Sequence, residues 1–243
     1  MRYSYIGLAL EGVQTTMPKP QYCRQSAYDL FRLQMPIIES TDGLLYAAVA
    51  IAMNHLEVCT PRLAEDLIEQ YASAIRCRVR SGSPQALLAH LHDVFFEELG
   101  FVGNSDDYYN PLNSYVPAVL QMRTGLPITL SLIYKVIAER IGLSVVGVNA
   151  PLHFMAGVQL EDKVLLIDPF FGGRAVSREE AFERIEQVAG RAVPRVDEML
   201  PTASHRQWIA RILGNLLNIF QHTEQTADYR AMLELRGVLM TEA

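Results

Sequence analysis

The hydrophobic period of this chain changes once, and that change limits what it can fold into. Up to Gly142 apolar residues recur at helical spacing. Beyond it, between residues 144 and 168, they gather into three short segments rich in β-branched residues, "SVVGVNA", "HFMAGVQL" and "KVLLIDP". Helical spacing then returns in "SREEAFERIEQVAG", which Ser177 caps, and again from Ser204 onward. A block of helices, a small antiparallel sheet and a second block of helices is an α+β layout.

The helical blocks carry their own punctuation. "SAYDLFRLQM" opens on Ser26 as its N-cap, and Pro36 ends or kinks it. Thr41 or Asp42 is expected to cap the apolar helix that follows. Thr60 and Pro61 start another, whose apolar stripe is read as residues 63, 67, 71, 74 and 75. Ser83 and Pro84 repeat the device, with Gly100 as the stop. After a turn-rich linker comes a short helix that Asn113 is expected to cap. Then "RTGLPITLSLIYKVIAERIGL" places Pro127 in a first turn and an apolar face at 126, 130, 133, 137 and 141. Glu161 and Asp162 are read as the turn of a β-hairpin. Residues 1–25 read as irregular, with Pro18 and Pro20 as breaks.

Three segments follow: a helical region over 1–102, a core over 103–200 and a helical hairpin over 201–243, packed as one globular unit. A net charge of −6 and the lack of any basic run argue against nucleic-acid and membrane-surface binding. The most apolar stretch, residues 43–53, is too short to span a bilayer, and no signal peptide is read at the N-terminus. Cys23, Cys59 and Cys77 are odd in number and lack Cys-x-x-Cys spacing, so neither a disulfide frame nor a zinc site is expected. A reducing, cytoplasmic setting without a cofactor is the expectation.

One pair stands out chemically. His153 is read as starting one strand and Asp168 as ending the next, so the hairpin brings them close to opposite one another on one face. An Asp that accepts from one imidazole nitrogen fixes the tautomer and leaves the other as a base. The same pair serves equally as a buried link between two strands. His90 and His92 are two apart on a helix and make a poor metal pair. Gly172 and Gly173 read as a turn.

The phrases "DYYNPLNS", "GLPITLSLIY", "LHFMAG" and "IDPFFGG" closely resemble the SirB-type family of the transglutaminase-like superfamily, over about residues 95–175. The resemblance implies a fold related to papain-like cysteine proteases. A helix N-terminus packs on an antiparallel sheet, with a catalytic Cys on the helix and His and Asp on adjacent strands. His153 and Asp168 match the last two. The Cys position, counted forward from Gly125 and back from Gly142, falls on Pro127. A helix N-terminus is where a thiol's pKa is lowered, but Pro has nothing to ionise.

Ser131, one turn further along, is the substitute nucleophile to weigh, though it would sit some 6 Å deeper along the helix axis. Thr129 points elsewhere. Both are otherwise explained by packing or by a bond back to a carbonyl. Tyr108, Tyr109, Asn110 and Asn113 are candidates to line a cleft with Pro127 and Thr129, or to cap and staple their loop. The favoured reading is a non-catalytic, regulatory protein that binds a protein or peptide. The alternative is a hydrolase or acyltransferase using Ser131 with His153 as base. A third class, a helical scaffold, rests on "IARILGNLLNIF", whose apolar stripe suits a second copy of the chain or packing on its own core.

Overall fold

A computed structural model describes residues 19–161 and 163–241. Residues 1–18, read above as irregular and without a signal peptide, and Asp162 of the predicted turn lie outside the described residues.

Helix α1 (Gln25–Gln34) starts after Arg24, two residues earlier than Ser26 would place it, and has no side-chain cap. Pro36 falls in a separate 3₁₀ turn, Met35–Ile37. Ser40, not Thr41 or Asp42, caps α2 (Thr41–Met53), because its hydroxyl accepts from the Gly43 amide. Thr60 and Ser83 cap α3 (Pro61–Arg76) and α4 (Pro84–His92) as expected, each followed by Pro at the start of the helix. The buried stripe of α3 is Ala64, Ile68, Tyr71, Ala72 and Ile75. It is turned by about a residue from the expected one, leaving Leu63 exposed, because the small Ala64 and Ala72 lie inside where α3 meets its neighbours.

Helix α4 runs into a wider π turn over Asp93–Glu98, where the Leu99 amide donates to Val94 O at 2.9 Å; Gly100 then leaves with φ 71°. Two short parallel strands follow, β1 (Val102–Gly103) and β2 (Thr124–Gly125). Between them lie a 3₁₀ turn capped by Asn110 and helix α5 (Val116–Met122), which begins after Tyr115.

Helix α6 (Pro127–Arg140) is the centre of the molecule. Every residue from Pro127 to Ala138 is buried, not only the one face its apolar spacing predicts. Helices α2, α3 and α5 pack against it, as do strands of the main sheet. Even Lys135 is inside, donating to Val145 O at 2.6 Å and paired with Glu139, which also accepts from Thr41. A buried ammonium is tolerated only when it is paired in this way.

The main sheet is antiparallel, in the order β6 (Arg174–Val176), β5 (Lys163–Asp168), β4 (Met155–Leu160), β3 (Val145–Val148), β7 (Thr202–Ala203). The predicted hairpin is there, with Leu160 opposite Lys163. Helix α7 (Arg178–Ala189) starts with a capping box between Ser177 and Glu180. Helices α8 (His205–His222) and α9 (Thr226–Thr241) form the expected antiparallel hairpin. The apolar stripe of α8, including Ile209, Ile212, Leu216 and Phe220, is buried in the chain's own core, which removes it as a surface for a second copy. That core runs from Cys23 to Leu239 and takes residues from all three predicted segments. Glu234 on α9 ties the ends together by accepting from the Gln21, Tyr22 and Cys23 amides at 2.7, 3.0 and 2.9 Å. Among the described residues, no helix is long and apolar enough to cross a membrane.

Burial pushes the His92 imidazole below its ordinary value of 6.5, against the opposing charge of Asp93; its Nε2 lies 2.9 Å from the Tyr134 hydroxyl. His205 is shifted the same way, by burial and then by Lys135. The unfolded chain therefore takes up protons near pH 6.5 that the folded one resists, so stability falls as pH drops below that value. Urea titrations at stepped pH are expected to show this loss, and His92→Gln to flatten part of the slope. A slope unchanged by that substitution would remove His92 as a cause.

Candidate functional site

The His–Asp pair forms, but not through the simple register read from the sequence. Ala156 faces Ile167 across the hairpin, so β4 begins at Met155 and His153 lies ahead of the strand. It is placed by the turn before it. Leu152 takes the left-handed conformation, φ 59°, unusual for a bulky residue, and the His153 amide donates to Ala150 O at 3.3 Å. That turn brings His153 Nε2 to 2.8 Å from Asp168 Oδ2.

Asp168 is fully buried and entirely occupied. Its Oδ1 accepts from the Phe170 amide at 3.1 Å, and its Oδ2 takes both His153 and the Arg184 guanidinium from α7. Its own carbonyl accepts from Gly173 at 2.9 Å. Gly172 and Gly173 form the expected turn, with φ 73° and 71°. A Cβ on Gly173 would stand 1.8 Å from the Phe96 ring, so the backbone passes too close there for any side chain. The Arg184 guanidinium also lies 4.9 Å over the Phe171 ring. Nothing in the spacing of the sequence marked Arg184, because only the folding of α7 back onto β5 brings it in.

With Nε2–H donated to a carboxylate, His153 Nδ1 is the nitrogen left to accept a proton, and it has no hydrogen-bond partner among the described residues. His153 also forms part of the wall of a cleft of about 530 Å³. Pro127 and Ile128 from the first turn of α6 form one part of that wall, and Leu152 and Phe154 flank the histidine. Tyr108 and Tyr109 come from the loop before α5, while Arg211, Asn215 and Asn218 come from α8. The cleft is braced from behind by Trp208. Its Nε1 donates to Ile128 O at 3.1 Å, and its ring lies 4.6 Å from that of Phe154.

Of the other candidates, Tyr108 and Pro127 line the cleft, whereas Thr129, Asn110 and Asn113 do not. Asn113 is wholly buried: its amide donates to Asp107 O and Tyr108 O at 2.7 and 3.2 Å and accepts from Asn104 at 3.0 Å. It staples the loop that carries Tyr108, and caps no helix. Asn110 bonds Leu112 N and Asp107, holding the same loop. Thr129 and Ser131 are fully buried within α6, their hydroxyls without a partner, and neither reaches the cleft. Of the two roles expected for them, packing agrees with their burial, while the bond back to a carbonyl is not made.

The three cysteines are elsewhere. Burial, then Glu234, pushes the Cys23 thiol far up, and burial alone pushes Cys59 up to about 11. Cys77 is exposed at the end of α3. His92 bonds Tyr134 while His90 lies 3.9 Å from Asp93, so the two point to different partners. Among the described residues no three of His, Cys, Asp and Glu are grouped as metal ligands.

Comparison with known proteins bears on this arrangement. The profile of the transglutaminase-like superfamily matches residues 62–214. A UPF0162 protein of Xylella fastidiosa (strain 9a5c) is 34% identical over 191 residues, covering 77% of this chain and 68% of the relative. A UPF0162 protein of Haemophilus influenzae is 31% identical, over 92% of this chain and 77% of its own. F-box only protein 21 of Mus musculus is 32% identical over 142 residues, 55% of this chain but 22% of that protein. No solved structure matches the chain.

Proposed function

The chain belongs to the transglutaminase-like superfamily, and from that premise we propose that it is a non-catalytic, regulatory member which binds a protein or peptide segment in the cleft beside His153. The observation that carries this reading is Pro127. It opens α6 at the wall of the cleft that also holds His153 with its free Nδ1. In active members of the superfamily that position would bear the thiol. Among the described residues lining the cleft there is no Cys, Ser or Thr to replace it. His153 and Asp168 then serve as a fixed polar wall for a ligand. Hydrolysis through Ser131 gains no support, since that hydroxyl is buried outside the cleft.

The first test is chemical. Wild-type protein incubated with glutamine and peptide-amide substrates is expected to release and transfer nothing. Turnover abolished by His153→Ala would overturn the proposal.

The second test asks whether Pro127 truly holds the nucleophile's place. In a Cys77→Ser background, Pro127→Cys is expected to give a thiol that alkylates with a midpoint below about pH 7.5, against roughly 8.5 for a free cysteine. The helix N-terminus and the neighbouring imidazole both favour the thiolate. Adding His153→Ala should move the midpoint back up. A thiol that titrates like one in solvent, indifferent to His153, would sink the equivalence.

A further inference from the structure

Among the described residues that line the cleft, Arg211 is the only one with a fixed charge. Its guanidinium is held in place without being neutralised. Nη1 donates to Asn149 Oδ1 and, at 2.8 Å, to Ala150 O, and the group lies 5.6 Å over the Phe154 ring. Both acceptors are uncharged, and no Asp or Glu among the described residues pairs with it. The other nitrogens of its fork have no acceptor among the described residues. Half-buried cations are ordinarily paired, because losing water without gaining a counter-charge is costly. The aromatic face offsets part of that cost but supplies no anion. Burial depresses the Arg211 pKa, against the opposing influence of the Tyr108 hydroxyl.

What lies beside Arg211 narrows the ligand. Asn215 and Asn218 follow at one and two turns of α8 and line the same cleft. The stripe from 211 to 218 spans about 10 Å, the length of roughly three residues of extended chain. Each primary amide offers both a donor and an acceptor, which matches a peptide group. Leu152 and Tyr109, 58% and 75% exposed, give the cleft an apolar rim for neighbouring side chains.

We propose that the cleft selects a peptide bearing an acidic side chain, whose carboxylate pairs with the open edge of the Arg211 guanidinium while Asn215 and Asn218 hold the adjoining backbone. The inference rests on the peptide-binding reading above and names its ligand class. The chain's net charge of −6 works against acidic ligands at long range. The selection is therefore local, and it persists at physiological salt, where only charges farther apart than about 8 Å are largely screened.

The test uses the full chain and two pools of short peptides, carrying the same uncharged dye at the N-terminus and an amide at the C-terminus. One pool has Glu at a fixed central position and the other Gln. Fluorescence anisotropy is expected to show the Glu pool binding about tenfold or more tighter, the size of a charge-assisted pair. Arg211→Met should bring the two pools level. Arg211→Lys, which keeps the charge but loses the planar fork, should retain part of the preference and so separates charge from folding. Equal binding of both pools by the wild-type protein overturns the acidic selection and leaves the peptide-binding reading standing. A Glu preference that survives Arg211→Met in a variant of unchanged melting temperature overturns the assignment to Arg211. Binding of neither pool overturns both.

Discussion

Replacing Asp168 with Ala is expected to cost about 3–5 kcal/mol of folding free energy, the usual penalty for removing one partner of a buried charged pair. The carboxylate is fully buried and accepts from three groups, the His153 ring, the Arg184 guanidinium and the Phe170 amide. Its loss strands all three. Arg184 keeps 20% of its side chain exposed and can recover water there, so its share of the loss is the smallest. Asp168→Asn retains an oxygen for the Phe170 amide and should cost less, about 2 kcal/mol. Urea denaturation of the two variants checks both values. A loss below about 1 kcal/mol in Asp168→Ala would mean that the triplet is not held as described.

Trp208→Ala should be nearly as damaging, at about 3–5 kcal/mol, since it empties a fully buried indole site between α8, β3 and the start of α6. A Cβ on Gly147 would lie 2.5 Å from this ring, so the strand has no room to shift toward it, but there is also no side chain to fill a void. Trp208→Phe keeps most of the volume and loses the bond to Ile128 O, for about 1–2 kcal/mol. This variant bears on function as well. Ile128 and Phe154 line the cleft and both rest on the indole, so the variant should bind peptide more weakly than its stability loss explains. Trp208 is the only tryptophan, so both variants are followed by circular dichroism rather than by emission. Peptide binding that is unchanged in folded Trp208→Phe would show that the brace does not reach the cleft.

Much of the frame was readable because it rests on local chemistry. Thr60, Ser83 and Ser177 cap the helices they precede, since a hydroxyl next to free amides acts within one turn. The β4–β5 hairpin follows from two short β-branched-rich segments and a two-residue gap. The pairing of His153 with Asp168 was legible from that hairpin, although the turn at Leu152 and not strand register delivers the histidine. The full burial of α6 was not legible. Thr129, Ser131 and Lys135 interrupt its apolar pattern, and only partners far along the chain decide that they lie inside. Arg184 and Arg211 were missed for the same reason. One reaches Asp168 from the helix after the sheet, and the other is 61 residues from the carbonyl it binds. A charged residue on an amphipathic helix looks like a solvated one until tertiary structure turns it inward.

The anchoring of α1 by Glu234 has a consequence for biosynthesis. A ribosome delivers residues 21–23 more than two hundred residues before the carboxylate that accepts from their amides. Helix α1 also packs against α9 as well as α2. One flank of α1 therefore stays open until α9 has been translated. Its final docking waits until α9 has emerged, with apolar surface in view of chaperones until then. The contact that joins the ends spans so much sequence that its closure is among the slow steps of folding.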